Sequence, residues 1–246
     1  ANPHAATSST QPKGSPCHGR NDPLPQPVEA QEVTGMGTVL QAVVFDMDGV
    51  IIESEMTHYR AICEAMGEKM KVSYKVFLEQ CTGGDERFAM GKMAAFSDMS
   101  YDEELFQEWS RRKGKAYMRL VSEEACAMPG AIELVESVAE QLPIGLATGS
   151  RRSDVDAALH VLGGGCLEGL FQTIVTSGDV DNPKPHPATY SKAVEDLGVE
   201  PSACFAIEDS PNGIASAVGA GLRVIGVAVM HDASKLSRAE RIVSTL

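Results

Sequence analysis

One seven-residue run constrains this chain more than any other feature. Residues 39–45 read VLQAVVF, mostly apolar and β-branched, and the run stops at Asp46-Met47-Asp48-Gly49. A segment of this kind is expected to be a strand buried on both faces of a sheet. Residues two apart in an extended segment point to the same side, so Asp46 and Asp48 can face one pocket beyond the strand's carboxyl end. Ligands of open α/β sheets collect at that edge, and Gly49 permits the tight turn that leaves it.

Four more runs read as strands, at 143–148, 171–175, 204–207 and 223–229, with helical patterns at 131–141, 152–162, 187–197 and 211–220 between them. Asp209 or Ser210 can cap the last helix, with Pro211 in its first turn. This alternation predicts an α/β fold, a Rossmann-like, mostly parallel sheet covered on both faces. Residues 56–127 break the rhythm with four amphipathic stretches, near 56–67, 73–80, 84–96 and 101–121. They are expected to form an all-helical cap inserted after the first core strand, leaving 38–55 and 128–246 as the catalytic core, with hinges near 53–56 and 125–129. Residues 1–37, rich in Pro, Ser, Thr, Gly and Gln, read as a disordered leader or an extraneous segment. A targeting role for them is weak, since Lys13 and Arg20 are their only basic residues and an apolar signal core is absent.

Asp and Glu number 34 against 21 Lys and Arg, a formal charge of −13. That balance repels nucleic acid and anionic membrane, and no stretch approaches the roughly 20 apolar residues of a membrane span. The expected partner is a small molecule, and the expected location is the cytoplasm, or an organelle if residues 1–37 include a targeting segment. A monomer is the simpler expectation. The six cysteines lack CxxC spacing and read as free thiols.

Three further clusters bear on chemistry. Thr148, Gly149 and Ser150 follow the second core strand, where a hydroxyl and backbone N–H groups can hold phosphoryl oxygens. An ordinary strand–helix turn, with Ser153 or Asp154 as a cap, is the plain alternative. Lys184 lies in Asn182-Pro183-Lys184-Pro185-His186-Pro187, whose prolines stiffen the backbone around one cation. His186 is expected to cap or pack locally rather than act as a base. Glu208 and Asp209 end an apolar strand, where adjacent carboxylates need a counter-charge such as Mg²⁺. For Asp209, metal ligand and helix cap both stay open.

Taken in order, these pieces resemble the haloacid dehalogenase-like phosphohydrolase superfamily over roughly residues 40–230. FDMDGV at 45–50 looks like its first motif, ATGS at 147–150 its second, Lys184 its third-motif lysine, and IEDSPNG at 207–213 its fourth. The resemblance implies Asp46 as nucleophile, Asp48 as general acid/base, Thr148 as the phosphate-binding hydroxyl and Lys184 as the charge-neutralising lysine. It implies Mg²⁺ held by Asp46, the backbone carbonyl of Asp48, Asp209, and Glu208 directly or through water. The insert is similar to that of helical-cap members, among them β-phosphoglucomutase, CbbY-like proteins and sugar-phosphate phosphatases.

His58 is twelve residues after Asp46, as is the mutase's cap histidine, and equally reads as an ordinary residue of the first cap helix. The loop Cys81-Thr82-Gly83-Gly84-Asp85-Glu86-Arg87 departs from the mutase: Thr82 replaces a lysine, and Glu86 stands where the mutase has its recognition arginine. Thr82, Gly83 and Arg87, with Gly149, Ser150 and His58, are the candidate substrate contacts, and Lys92 is a further one. The resulting expectation is a Mg²⁺-dependent phosphomonoester hydrolase of small phosphorylated metabolites, sugar phosphates foremost. A phosphomutase with the same aspartyl-phosphate is the alternative, and a non-catalytic binding protein the remote one.

Overall fold

The computed structural model describes residues 39–82 and 85–246. The expected leader at 1–37 and the cap-loop Gly83 lie outside the described residues. Six strands form one parallel sheet in the order β3-β2-β1-β4-β5-β6. They are β1 (Ala42–Phe45), β2 (Ile144–Ala147), β3 (Thr173–Val175), β4 (Cys204–Glu208), β5 (Arg223–Val227) and β6 (Arg241–Val243). The first five fall within one residue of the expected runs or are shortened versions of them. β6 has three residues, none fully buried, at the sheet's edge, which leaves too little apolar pattern to mark it.

β1 is buried at every position, as its unbroken apolar run requires. Its two faces feed separate cores: Val43 and Phe45 pack with Ile144 and Leu146 on one side, Ala42 and Val44 with Tyr190 and Ile214 on the other. Four helices cover those faces: α5 (Ala131–Ala139), α6 (Arg152–Leu162), α7 (Ala188–Leu197) and α8 (Pro211–Gly219). Ser210 caps α8, accepting from Gly213 N, with Pro211 in the first turn, so Asp209 is left for another role. α6 begins after Arg151 with no side-chain cap, so neither Ser153 nor Asp154 plays the expected capping part.

Between β1 and β2 run α1 (Glu55–Met66), α2 (Tyr74–Gln80), α3 (Glu86–Phe96) and α4 (Glu103–Glu124). Ser73, Asp85 and Asp102 cap the last three. These helices share a core of their own, with Ile62, Met66, Phe77, Met90, Met93 and Trp109. The chain leaves β1 and returns toward β2 along adjacent paths: Glu53 N donates to Cys126 O at 2.9 Å, Met128 N to Ile51 O at 2.9 Å, and Ile52 bridges Ala127. No helix among the described residues is long and apolar enough to cross a membrane. Cys63, Cys81, Cys126 and Cys204 are free thiols. Cys166 is not among them, a departure from the all-thiol expectation.

Candidate active site

Parallel register gathers the expected residues at one edge. Phe45 pairs with Leu146 on one side and Ile207 on the other, so Asp46 and Glu208 emerge level with Ala147, one residue before Thr148. β1 lies where the strand order reverses, between β2 and β4, the position at which such sheets open a crevice. A cavity of about 380 Å³ lies here, lined by Asp46, Asp48, Lys184 and Asp209 from the sheet edge and by residues of α1, α3 and α4 above it.

Lys184 arrives from the loop before α7. Its ammonium donates to Asp46 Oδ1 at 2.8 Å, Glu208 Oε1 at 2.7 Å and Ala147 O at 2.9 Å. Burial alone would lower this lysine, yet Asp46 and Glu208 lift it above its ordinary value. Burial raises the Asp46 carboxyl; Lys184 opposes the rise, and the charges of Glu208 and Asp48 add to it. Glu208 is fully buried and saturated: besides Lys184 it accepts from Tyr190 OH at 3.0 Å and from Ser210 N and Oγ at 3.0 Å each.

Asp48 sits across from this group in a different environment. Ser54 Oγ donates to its Oδ1 at 2.5 Å, Ser150 Oγ to its Oδ2 at 2.7 Å, and His58 Nε2 lies 3.1 Å from Oδ1. Burial would raise Asp48, but His58 and these hydroxyls hold it well below the usual carboxylate range. Thr148 Oγ1 is a longer 3.5 Å from Asp48 and accepts from Ser150 N at 3.0 Å. The His58 ring stacks on Tyr117 of α4, with centroids 4.5 Å apart.

Gly49 is required twice over. Its φ is +79°, and a Cβ there would lie 2.1 Å from Asp209 Oδ2. Gly49→Ala is therefore expected to displace Asp209 and lower turnover at this site by about 100-fold. Wild-type turnover in that variant would show that Asp209 does not need its present position. Gly213 serves Glu208 in the same way, since a Cβ would fall 1.7 Å from Glu208 Oε1.

The model described as haloacid dehalogenase-like hydrolase matches residues 40–221. The chain belongs to the haloacid dehalogenase-like hydrolase family. Protein CbbY of Rhodobacter capsulatus is 32% identical over 194 residues, covering 76% of this hydrolase and 84% of the relative. Validoxylamine A 7′-phosphate phosphatase of Streptomyces hygroscopicus subsp. limoneus is 32% identical over 209 residues, covering 84% and 94%. A crystal structure of a CbbY variant from Rhodobacter sphaeroides with xylulose-1,5-bisphosphate superposes with a TM-score of 0.77 at 25% identity, covering 84% of this chain and 95% of that one.

The hydrolase's acidic cluster is able to coordinate a metal. Ligand atoms of Asp46, Glu208 and Asp209 lie within 4.8 Å of one another. Asp209 is 4% exposed, and no hydrogen bond reaches its carboxylate among the described residues. Burial, with Glu208 and Asp46 beside it, raises its carboxyl well above the ordinary value. Three carboxylates share the single ammonium of Lys184, and a hard divalent cation is the group that the remaining oxygens, those of Asp209 foremost, accept.

Of the cap candidates, His58 meets Asp48 and the others do less. Thr82 lines the cavity, but its hydroxyl donates to Leu78 O at 2.8 Å. Arg87 also lines it, while its guanidinium is paired with Glu103 at 2.6 Å and stacked over Phe106 at 3.8 Å. Lys92 lies over Phe88 and is absent from the cavity wall. His186 accepts from Ala188 N at 3.3 Å, the local role expected of it. Gly149 and Ser150 both line the cavity.

Sequence reasoning missed several polar residues of the hydrolase. Ser54 precedes a helix and reads as a cap, yet its side chain makes no cap bond and turns to Asp48. Tyr190 reads as core. Lys113 of α4, 3% exposed, pairs with Asp154 of α6 at 2.7 Å and lies 3.4 Å from Glu86. Arg151 pairs with Glu86 at 2.5 Å and donates to Ser110. Lys113→Met or Asp154→Asn strands a buried partner and is expected to cost about 3–5 kcal/mol. The double change Lys113→Met/Asp154→Asn should cost less than the sum of the two single losses. Denaturant midpoints check this, and additive losses in the double variant would refute it.

Proposed function

We propose that this hydrolase is a Mg²⁺-dependent phosphomonoesterase of small phosphorylated metabolites, sugar phosphates foremost. One observation carries the reading. Asp46, buried and neutralised by Lys184, faces the same cavity as Asp48, which is held apart by His58, Ser54 and Ser150. By themselves the surroundings favour the acid form of Asp46, through burial, and the carboxylate of Asp48, through His58; a divalent cation bound beside Asp46 would favour the carboxylate that attacks.

The Asp46 carboxylate attacks phosphorus, forming an aspartyl-phosphate as the bond to the leaving oxygen breaks, while Asp48 passes to that oxygen a proton drawn from His58 beside it. In the second half Asp48, as the carboxylate its surroundings favour, takes a proton from the water that hydrolyses the intermediate. Beyond the Ser54 and Ser150 hydroxyls, His58, 3.1 Å away, is the imidazole with which Asp48 can exchange that proton. Lys184 offsets charge on Asp46 and the arriving phosphate, and Thr148, Gly149 and Ser150 hold phosphoryl oxygens. Mg²⁺ would be held by Asp46, the backbone carbonyl of Asp48 and Asp209, with Glu208 through water, and would supply charge neutralisation at the phosphate. Residues 56–127 act as a cap over the core of 38–55 and 128–246, hinged where the two connections run together.

The validoxylamine A 7′-phosphate named for one relative and the xylulose-1,5-bisphosphate bound in another are both phosphate esters of small metabolites, which supports the substrate class. The His58–Asp48 contact also suits a second reading, an isomerising phosphomutase with the same nucleophile. Phosphate release measured with Mg²⁺ across sugar phosphates, phosphoglycolate and nucleotides tests the first reading. A sugar 1-phosphate supplied with catalytic bisphosphate separates the two: isomer formed with little free phosphate would overturn the phosphatase.

A further inference from the structure

Away from Asp46, the cavity wall is built by Glu86 and Lys113 of the helices above the sheet and by Arg151 and Asp154 of the sheet's own layer. These four side chains neutralise one another. Arg151 spends its guanidinium on Glu86 and Ser110, and Lys113 spends its ammonium on Asp154 and Glu86. Arg87, the remaining cation near this end, is held by Glu103. Among the described residues of the cavity wall, seven carboxylates face four lysine and arginine side chains, and Lys184, the fourth, already serves Asp46 and Glu208. One phosphate can be accommodated with a divalent cation beside Asp46. A second meets no unpaired lysine or arginine among the described residues, and would have to approach Glu86 or pull Arg151 from it, leaving a carboxylate desolvated without its partner.

Two atoms at this wall are buried without a hydrogen-bond partner, Glu86 Oε1 and Arg151 Nε. One accepts and the other donates. A hydroxyl group does both, so a small shift of the pair around a bound hydroxyl would satisfy each atom.

We infer that Glu86, with Arg151, Lys113 and Asp154, forms a specificity wall that accepts the uncharged, hydroxyl-bearing part of a phosphate monoester and turns away a second phosphate. This rests on the phosphomonoesterase reading and narrows its substrate class to monophosphates. Glu86 is the specificity-determining residue, because it closes the charge on both Lys113 and Arg151.

The test is calorimetric titration of the Asp46→Asn protein with Mg²⁺, which reads binding without turnover. Fructose 1-phosphate is expected to bind at least about tenfold more tightly than fructose 1,6-bisphosphate, a difference of about 1.4 kcal/mol. Adding Glu86→Gln should bring the ratio below about threefold, and adding Arg151→Gln instead should widen it. Equal or tighter bisphosphate binding without these additions, a ratio moved by neither of them, or no binding of either phosphate would each overturn the inference. Failure of the parent reading shows elsewhere, as absence of phosphate release by the unsubstituted enzyme.

Discussion

Asp46→Asn is expected to lower phosphate release by at least about 10⁴-fold, on the scale of removing a covalent nucleophile. Asparagine keeps the shape of the side chain and can still meet the Lys184 ammonium, so the loss would fall on chemistry and leave the fold intact. Stability should hold or rise, because Asp46 is one of three buried carboxylates within 4.8 Å of one another, with Lys184 as their neighbouring cation. Removing one negative charge relieves the other two. Steady-state phosphate release and thermal scans on the same protein check both halves. Turnover above about one hundredth of wild type would remove Asp46 from the nucleophile's role.

Lys184→Met should cost stability as well as activity. The lysine is the counter-charge of Asp46 and Glu208, and its own side chain is only 11% exposed. Methionine fills the volume without the charge, leaving those carboxylates and Asp209 facing one another in a buried site. Breaking a buried pair in this way costs about 3–5 kcal/mol, which for a chain of this size lowers the melting temperature by about 10 °C. Mg²⁺ should recover part of that loss, since a ligand of the folded state stabilises it by mass action. Phosphate release should fall by at least about 10³-fold. Thermal scans in Mg²⁺ and in chelator check the sign, and a variant as stable as wild type in chelator would contradict the electrostatic account.

What the sequence made legible follows the distance over which each cause acts. The strand 39–45 and its aspartates are local: burial on two faces demands an apolar run, and the run's abrupt end marks the sheet edge. Pro211 and Ser210 at the start of α8 are equally local. Glu208 read as an acid in need of a cation, but its saturation by Lys184, Tyr190 and Ser210 depends on a tertiary approach no short window contains. Ser54 and Asp154 were masked by a competing local role, since both residue types are favoured at helix starts. Glu86 and Arg151 meet across 65 positions; the sequence marks Glu86 only as a departure at the mutase's arginine position, and Arg151 is a charge beside a helix start. Gly213 stands in the fourth motif, yet only the packed Glu208 carboxylate explains why a side chain cannot follow there.

The adjacent crossing of the two connections, where Ile52 bridges Ala127 and Ile51 O receives Met128 N, has an evolutionary meaning. A segment whose ends already touch adds little loop-closure entropy to the fold that carries it. It can lengthen, shorten or be exchanged for another while β1 keeps its register with β2 and β4. A graft between relatives at these two crossings would still have to bring with it the contacts His58–Asp48 and Lys113–Asp154, which tie the insert to the sheet edge.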